Sequence, residues 1–268
     1  MDLQVNGPKI YYRLPFDLPD STIFTMKNLV TQTTVTLFAV TAILIILSIF
    51  TTKNLTKRPG RFQVVAEKLV SMLYGLVEDT MGKHNLKFAP YIGTLFLSSI
   101  FGTLLGMTQL FRSSTADLSV TVAWALVTTG MVWYNNIKNF GFGAWLKGFT
   151  EPIAVMTPMN VVSEIANPVS MAFRHFGNVA GGSVLTALIY GALGAASSMV
   201  FGWLPAAVAE LEIPFLAAGI PAVLSIYFDL FSGFVQALVF SLLTMVYVGG
   251  ACPPPSELPE KKRKKAEE

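Results

Sequence analysis

The sequence predicts an all-α polytopic membrane protein of about five spans, and three observations carry that prediction. The 268-residue chain is 53% hydrophobic and 12% aromatic but only 13% charged, about half the roughly 25% charge of an ordinary soluble domain. Its mean hydropathy is +0.56. Several charge-free stretches run for the ~20 residues that cross a ~30 Å hydrocarbon core as a helix. The net charge of +3 comes from clustered basic residues, so it speaks to membrane orientation before nucleic-acid binding. The single Cys252 excludes an intramolecular disulfide.

Residues 1–27 carry Asp2, Lys9, Arg13, Asp17, Asp20 and Lys27 with no continuous apolar run. That excludes a cleavable signal peptide and leaves a polar N-terminal segment. A single transmembrane domain, residues 28–252, follows. Its first span runs uncharged from Asn28 to Thr52. In the loop 53–87, Phe62, Val65, Leu69, Leu73 and Leu76 recur at helical spacing, which fits a helix lying on the membrane face or a soluble docking helix. Phe88 to Phe111 and Leu118 to Ile137 are the next two spans, with Asp117 expected to cap the second of them. Two longer stretches each hold one full charge, Ile165 to Ala209 with Arg174 and Ile213 to Ser256 with Asp229. Even ~35 helical residues extend ~52 Å, more than a bilayer is thick. These helices must tilt, bend or break; Pro168, Pro214, Pro221 and Gly181-Gly182 are the breaking points, and a steep tilt is the preferred solution.

Lys53, Lys57, Arg58, Arg61, Lys68, Lys83 and Lys87 concentrate in the first loop, which positive-inside logic places in the cytoplasm. Alternation puts residues 1–27 outside, the Lys138 and Lys147 loop inside, Trp203 to Glu212 outside and the tail 253–268 inside. The five basic residues of EKKRKKAEE suit either a solvated tail or contact with anionic lipid. No repeat of 20 to 50 residues is visible, which counts against an inverted-repeat transporter.

Ser163, Asn167, Ser170, Arg174 and Asn178 are spaced 4, 3, 4 and 4 apart, one polar face of an otherwise apolar helix. An arginine near the bilayer centre costs from ~2.5 to more than ~10 kcal/mol, so it normally faces protein, a counter-charge or a water-filled cavity. Snorkelling to a headgroup or fixing a helix pair is the plainer reading. Ser225, Asp229, Ser232 and Gln236, spaced 4, 3 and 4, form a second stripe, and two such helices packed antiparallel would line a polar path. Arg174 keeps its proton in any ordinary field and acts as a fixed positive charge. Asp229 can exchange protons or ligate a cation, or merely pair with Arg174. Glu164 sits in a cytoplasmic vestibule or is an interfacial acid; Glu210 and Glu212 attract cations to an outer mouth or are ordinary loop acids. His175 points ~100° from Arg174, which favours a core or lipid-edge role over proton relay. His84 has no metal-ligand partner at suitable spacing, and no metal or cofactor is expected. GxxxxGK[ST], HExxH and GxSxG are all absent, so nothing points to nucleotide hydrolysis or covalent catalysis.

FRHFGN (173–178), followed by Gly181-Gly182 and preceded by PMNVVSEIANPVS (158–170), resembles subunit a of the rotary F-type ATP synthase, as do TADLSVTVA (115–123), APYIGTLF (89–96) and QALVFSLLTMVYV (236–248). The resemblance covers roughly residues 85–250, in order. It implies a non-catalytic stator subunit of the membrane sector, whose last two long helices form a tilted hairpin against a ring of c subunits. Two half-channels would pass H+ or Na+ to and from a ring carboxylate, coupling ion flow to rotation and ATP synthesis. The motif match carries the family's essential arginine onto Arg174, sets Asn178 and Gln236 as its polar supports, and brings Ser170 and Glu164 near the channel lining. Asn167, Ser183, Ser232, Glu210 and Glu212 are further channel candidates. Here His175 replaces the leucine of the common RLFGN, and Ser183 stands where an acid is frequent. Asp229 occupies a position that is His in some relatives and an acid in others, so it is inferred to be the channel acid.

The implied partners are the c ring, b-type peripheral-stalk subunits, the remainder of the ATP synthase and membrane lipid, with no nucleic acid. The resemblance implies a bacterial cell membrane, with the N-terminus outside and the C-terminus in the cytoplasm. A secondary transporter binding an anion at Arg174, and a purely structural scaffold, are the competing functions.

Overall fold

A computed structural model describes residues 10–13, 28–53, 55, 59–108, 111, 113–151, 153–201, 226–254 and 256. Nearly all of the described chain is helical. The exception is an antiparallel ribbon of β1 (Ile10–Arg13) and β2 (Asn28–Thr31). Asn28 to Thr31, expected to open the first span, is therefore extended, and the helix starts only where the Thr31 hydroxyl accepts the Thr34 amide at 3.3 Å.

α1 (Gln32–Thr52) buries Thr33, Thr36 and Val40 while Phe38, Ile46 and Phe50 point outward. Bulky apolar groups outside and small or polar groups inside is the arrangement lipid favours, because apolar side chains gain nothing by leaving hydrocarbon. α2 (Arg61–Met81) ends at Gly82, whose φ of 81° is strained for any residue with a Cβ. Of the apolar face expected there, Leu73 packs into the core beside Val77 and Met81, whereas Phe62, Val65 and Leu69 stay exposed.

A 3-10 turn over Lys83–Phe88 leads into α3 (Ala89–Met107), with Pro90 in its first turn. α4 (Leu118–Phe140) is capped by Asp117, whose carboxylate accepts the Ser119 amide at 3.1 Å and the Thr33 hydroxyl of α1 at 2.9 Å. α5 (Phe142–Gly148) leads towards α6 (Thr157–Phe201), and a π-helical turn over Ile226–Phe231 precedes α7 (Ser232–Gly250). α6 begins well before Ile165 and runs unbroken for 45 residues through Pro168 and Gly181-Gly182. At 1.5 Å per residue it is about 67 Å long, so it either crosses a membrane obliquely or extends beyond it. Pro214 and Pro221 lie outside the described residues.

Among the described residues, four helical segments are long and apolar enough to cross a membrane: Gln32–Thr52, Lys83–Met107, Thr157–Leu193 and Ser232–Gly250. The fifth expected span, α4, has 23 residues but falls short on hydropathy. Its buried face is polar: Thr121, Thr128 and Asn135 recur every seven residues. Outward, it shows Leu126, Val127 and Tyr134. Averaging over the helix hides an apolar surface that sidedness reveals.

Val77, Met81, Ala89, Ile92, Met245 and Val248 form one core cluster, and Leu95, Met171 and Phe240 form another. α3 and α7 cross closely at Gly233, where a Cβ would stand 2.6 Å from Thr103 Cγ2. The C-terminal end of α7 is tied down by side chains from elsewhere: His84 Nε2 and Asn85 Nδ2 reach the Cys252 carbonyl at 2.8 and 2.9 Å, and Asn139 Nδ2 donates to the Ala251 carbonyl at 2.9 Å. Carbonyls at a helix end lack intrahelical donors, and these side chains supply them.

Asp117→Ala removes both the α4 cap and the tie to α1. We expect it to lose about 1–2 kcal/mol, seen as a lower thermal midpoint in detergent, with Asp117→Asn closer to wild type. An unchanged midpoint for the alanine variant would show that the cap carries no stability.

Candidate functional site

The site is built on α6. Its inward face is Pro168, Met171, Ala172, His175 and Gly182, all buried or half-buried. The polar stripe expected on one face does lie on one face, but Ser163, Asn167, Ser170, Arg174 and Asn178 are exposed, with Val162, Val169 and Phe173 exposed beside them. Among the described residues no side chain pairs with Arg174. A guanidinium set among apolar residues normally faces protein, a counter-charge or a water-filled cavity, and the described residues of this chain supply no counter-charge.

α6 and α7 pack antiparallel. Asn178 lies opposite Gln236, His175 against Phe240, and Met171 shares a cluster with Phe240, Leu243 and Tyr247. Of the two expected stripes, Gln236 turns inward while Arg174 turns outward; Ser225 and the Asp229 side chain lie outside the described part of the structure. Among the described residues the stripes are bridged where Asn178 Nδ2 donates to Gln236 Oε1 at 2.7 Å. Gln236 is only 3% exposed, and its Nε2 has no acceptor among the described residues.

One residue from Arg174, His175 is 1% exposed. Its Nε2 shares a hydrogen bond with Ser99 Oγ of α3 at 3.0 Å, and its ring meets Trp124 of α4 and Phe240 of α7 edge-on.

Towards the start of α6, the Trp133 indole N–H donates to a Glu164 carboxylate oxygen. Glu164 lines two cavities. One is an open cleft of about 660 Å3 walled by Trp133, Trp145, Phe149, Val161 and Lys147. The other, about 70 Å3, is lined by Thr128, Thr129, Asn167, Pro168 and Tyr247. Pro168 has no N–H for the Glu164 carbonyl, so the backbone there has an acceptor to spare.

Ser232 is half-buried at the start of α7. Asp229 falls in the π-helical turn, a local unwinding that recurs at functional positions. Its side chain and that of Ser183, within α6, lie outside the described part of the structure, as do Glu210, Glu212 and the basic tail altogether. Among the described residues there is no His, Cys, Asp and Glu cluster that could hold a metal ion. Sequence reasoning missed Trp133 and Ser99 as partners of Glu164 and His175. Charge-free spans conceal such contacts, although the seven-residue recurrence of polar groups on α4 signalled an inward face.

The chain matches the model of a family described as ATP synthase A chain over residues 34–249. It belongs to that family. ATP synthase subunit a, sodium ion specific, of Propionigenium modestum is 33% identical over 92% of this chain and 86% of the relative. ATP synthase subunit a of Desulforamulus reducens is 35% identical over 74% and 70%. ATP synthase subunit a 1 of Crocosphaera subtropica is 32% identical over 86% and 91%. The A chain fold is a polytopic membrane one, and these relatives are bacterial.

The Asn178–Gln236 bridge predicts non-additive substitutions. Asn178→Ala should lower stability by about 1–3 kcal/mol, since it leaves the buried Gln236 carbonyl unpaired, Gln236→Ala by about 1 kcal/mol or more through the lost bond and packing, and the double variant should lose less than their sum by about 1 kcal/mol. Thermal midpoints of the four proteins measure the coupling; strict additivity would contradict the bridge.

Proposed function

We propose that this chain is the non-catalytic stator subunit of an ATP synthase membrane sector, carrying cations between the two sides of a membrane and a carboxylate on a ring of partner subunits. The observation that carries this reading is Arg174, exposed on α6 without a partner among the described residues. A carboxylate from outside the chain fits that gap. Because guanidinium does not release its proton, Arg174 would displace the cation from each arriving carboxylate and block leakage past it without relaying protons itself. The Asn178–Gln236 bridge would steady α6 one turn away.

Two half-channels complete the proposal. The Glu164 cleft and the small cavity beside it, lined by Asn167 and Pro168, support a path on the cytoplasmic side that would lead on to Ser170. Asp229, with Ser183, Ser232, Glu210 and Glu212, is assigned to the opposite side, where Asp229 exchanges the ion. Orientation follows the basic loops: N-terminus outside, residues 53–87 with α2 on the cytoplasmic membrane face, C-terminal tail inside. The partners are the c ring, b-type stalk subunits and the remaining synthase, in a bacterial cell membrane. No cofactor is needed. The cation is H+ or Na+; a sodium-specific relative exists, and the ligands that select the ion belong largely to the ring.

ATP-driven cation uptake by vesicles containing the assembled complex tests both charges. Arg174→Ala and Arg174→Lys should each abolish uptake, and full coupled pumping in both would sink the proposal. Asp229→Asn should slow uptake at least about tenfold, in the range of a lost proton-transfer group, while assembly persists. An unchanged rate would reduce Asp229 to a structural residue.

A further inference from the structure

Arg174 and His175 are chain neighbours on opposite sides of a boundary. Arg174 is exposed and His175 is 1% exposed, about 100° apart around the helix. A modest rotation of α6 about its axis would therefore swing Arg174 towards its own chain or further from it. Met171 and Ala172, buried on the same inward face, oppose that rotation only through dispersion contacts, which carry little directional preference.

Directional contacts remain, and His175 makes them to three helices. It bonds Ser99 of α3 at 3.0 Å. Its ring lies 6.0 Å from Trp124 of α4 and 5.2 Å from Phe240 of α7, centroid to centroid. Ser99 and Phe240 are each fully buried, so the ring has a fixed socket. A leucine would fill the socket, but dispersion contacts tolerate rotation that a hydrogen bond does not.

We propose that His175 is a positioning residue that, through Ser99, Trp124 and Phe240, fixes the rotation of α6 and with it the outward aim of Arg174. The proposal rests on the stator reading of Arg174 given above. His175 touches no transported ion in this scheme; it acts through the helix.

The test uses the assembled complex in vesicles. His175→Leu and Ser99→Ala should each slow ATP-driven cation uptake about threefold to tenfold, and the double variant should be no slower than the worse single one, because the pair acts as a unit. His175→Gln, whose amide reaches the place of Nε2, should keep at least about half the wild-type rate. An independent reading comes from a nitroxide on Arg174→Cys in a Cys252→Ser background. Its spectrum should be uniform with His175 or Gln at 175, and should broaden with Leu at 175 or Ala at 99. Normal uptake in both single variants, equal impairment of the Gln and Leu variants, or a spectrum indifferent to residue 175 would each overturn the proposal. The label reports α6 orientation whether or not the complex pumps. A spectral change together with normal pumping by Arg174→Ala would therefore sink the stator reading and leave the positioning role standing.

Discussion

Hydrocarbon offers no hydrogen bonds, and this one constraint orders the whole structure. Each polar side chain inside a span must find a protein partner or a helix carbonyl. α1, α3 and α4 obey it in the same way. Thr36 bonds the Gln32 carbonyl, Thr103 the Ser99 carbonyl and Asn135 the Met131 carbonyl, all on buried faces. The outward surfaces are left to Phe, Ile, Leu and Val. Among the described residues the interior therefore combines apolar core clusters with bonded polar groups, and the outward surface is apolar.

α6 breaks that pattern, and the break is where chemistry gathers. Its polar stripe points outward, although the helix also carries inward-facing His175 and the Asn178 link to Gln236. Holding an exposed arginine in such a place demands rigid anchoring on the opposite face. The buried histidine and its aromatic neighbours provide it, while the Asn178–Gln236 bridge ties the stripe itself to α7. The same helix places Glu164 between a wide cleft and a small cavity, so one element carries both the exposed arginine and an acid at a cavity wall.

Much of this was legible in the residues. Lack of charge and the length of apolar runs located the spans, since membrane thickness sets their size directly. The 4, 3, 4 and 4 spacing around Arg174 placed five residues on one face, and Asp117 was readable as a cap because capping is a local interaction. Other features were not legible. The first span was overextended into Asn28–Thr31 because the strand partner Ile10–Arg13 is distant in sequence. Leu73 and Phe62 share a helical face by spacing, yet one is packed and the other exposed, because α3 and α7 cover only the end of α2 near Met81.

The sequence by itself determined the helices, their faces and the membership of Arg174 and Asn178 in a common stripe. Periodicity and hydropathy depend only on near neighbours along the chain. Only the tertiary structure decided that Arg174 faces out while Gln236 faces in, that His175 is held by Ser99, and that Trp133 engages Glu164. Those outcomes depend on how each helix is rotated against its neighbours, a quantity set by packing between residues 31 to 76 positions apart, which no local pattern encodes.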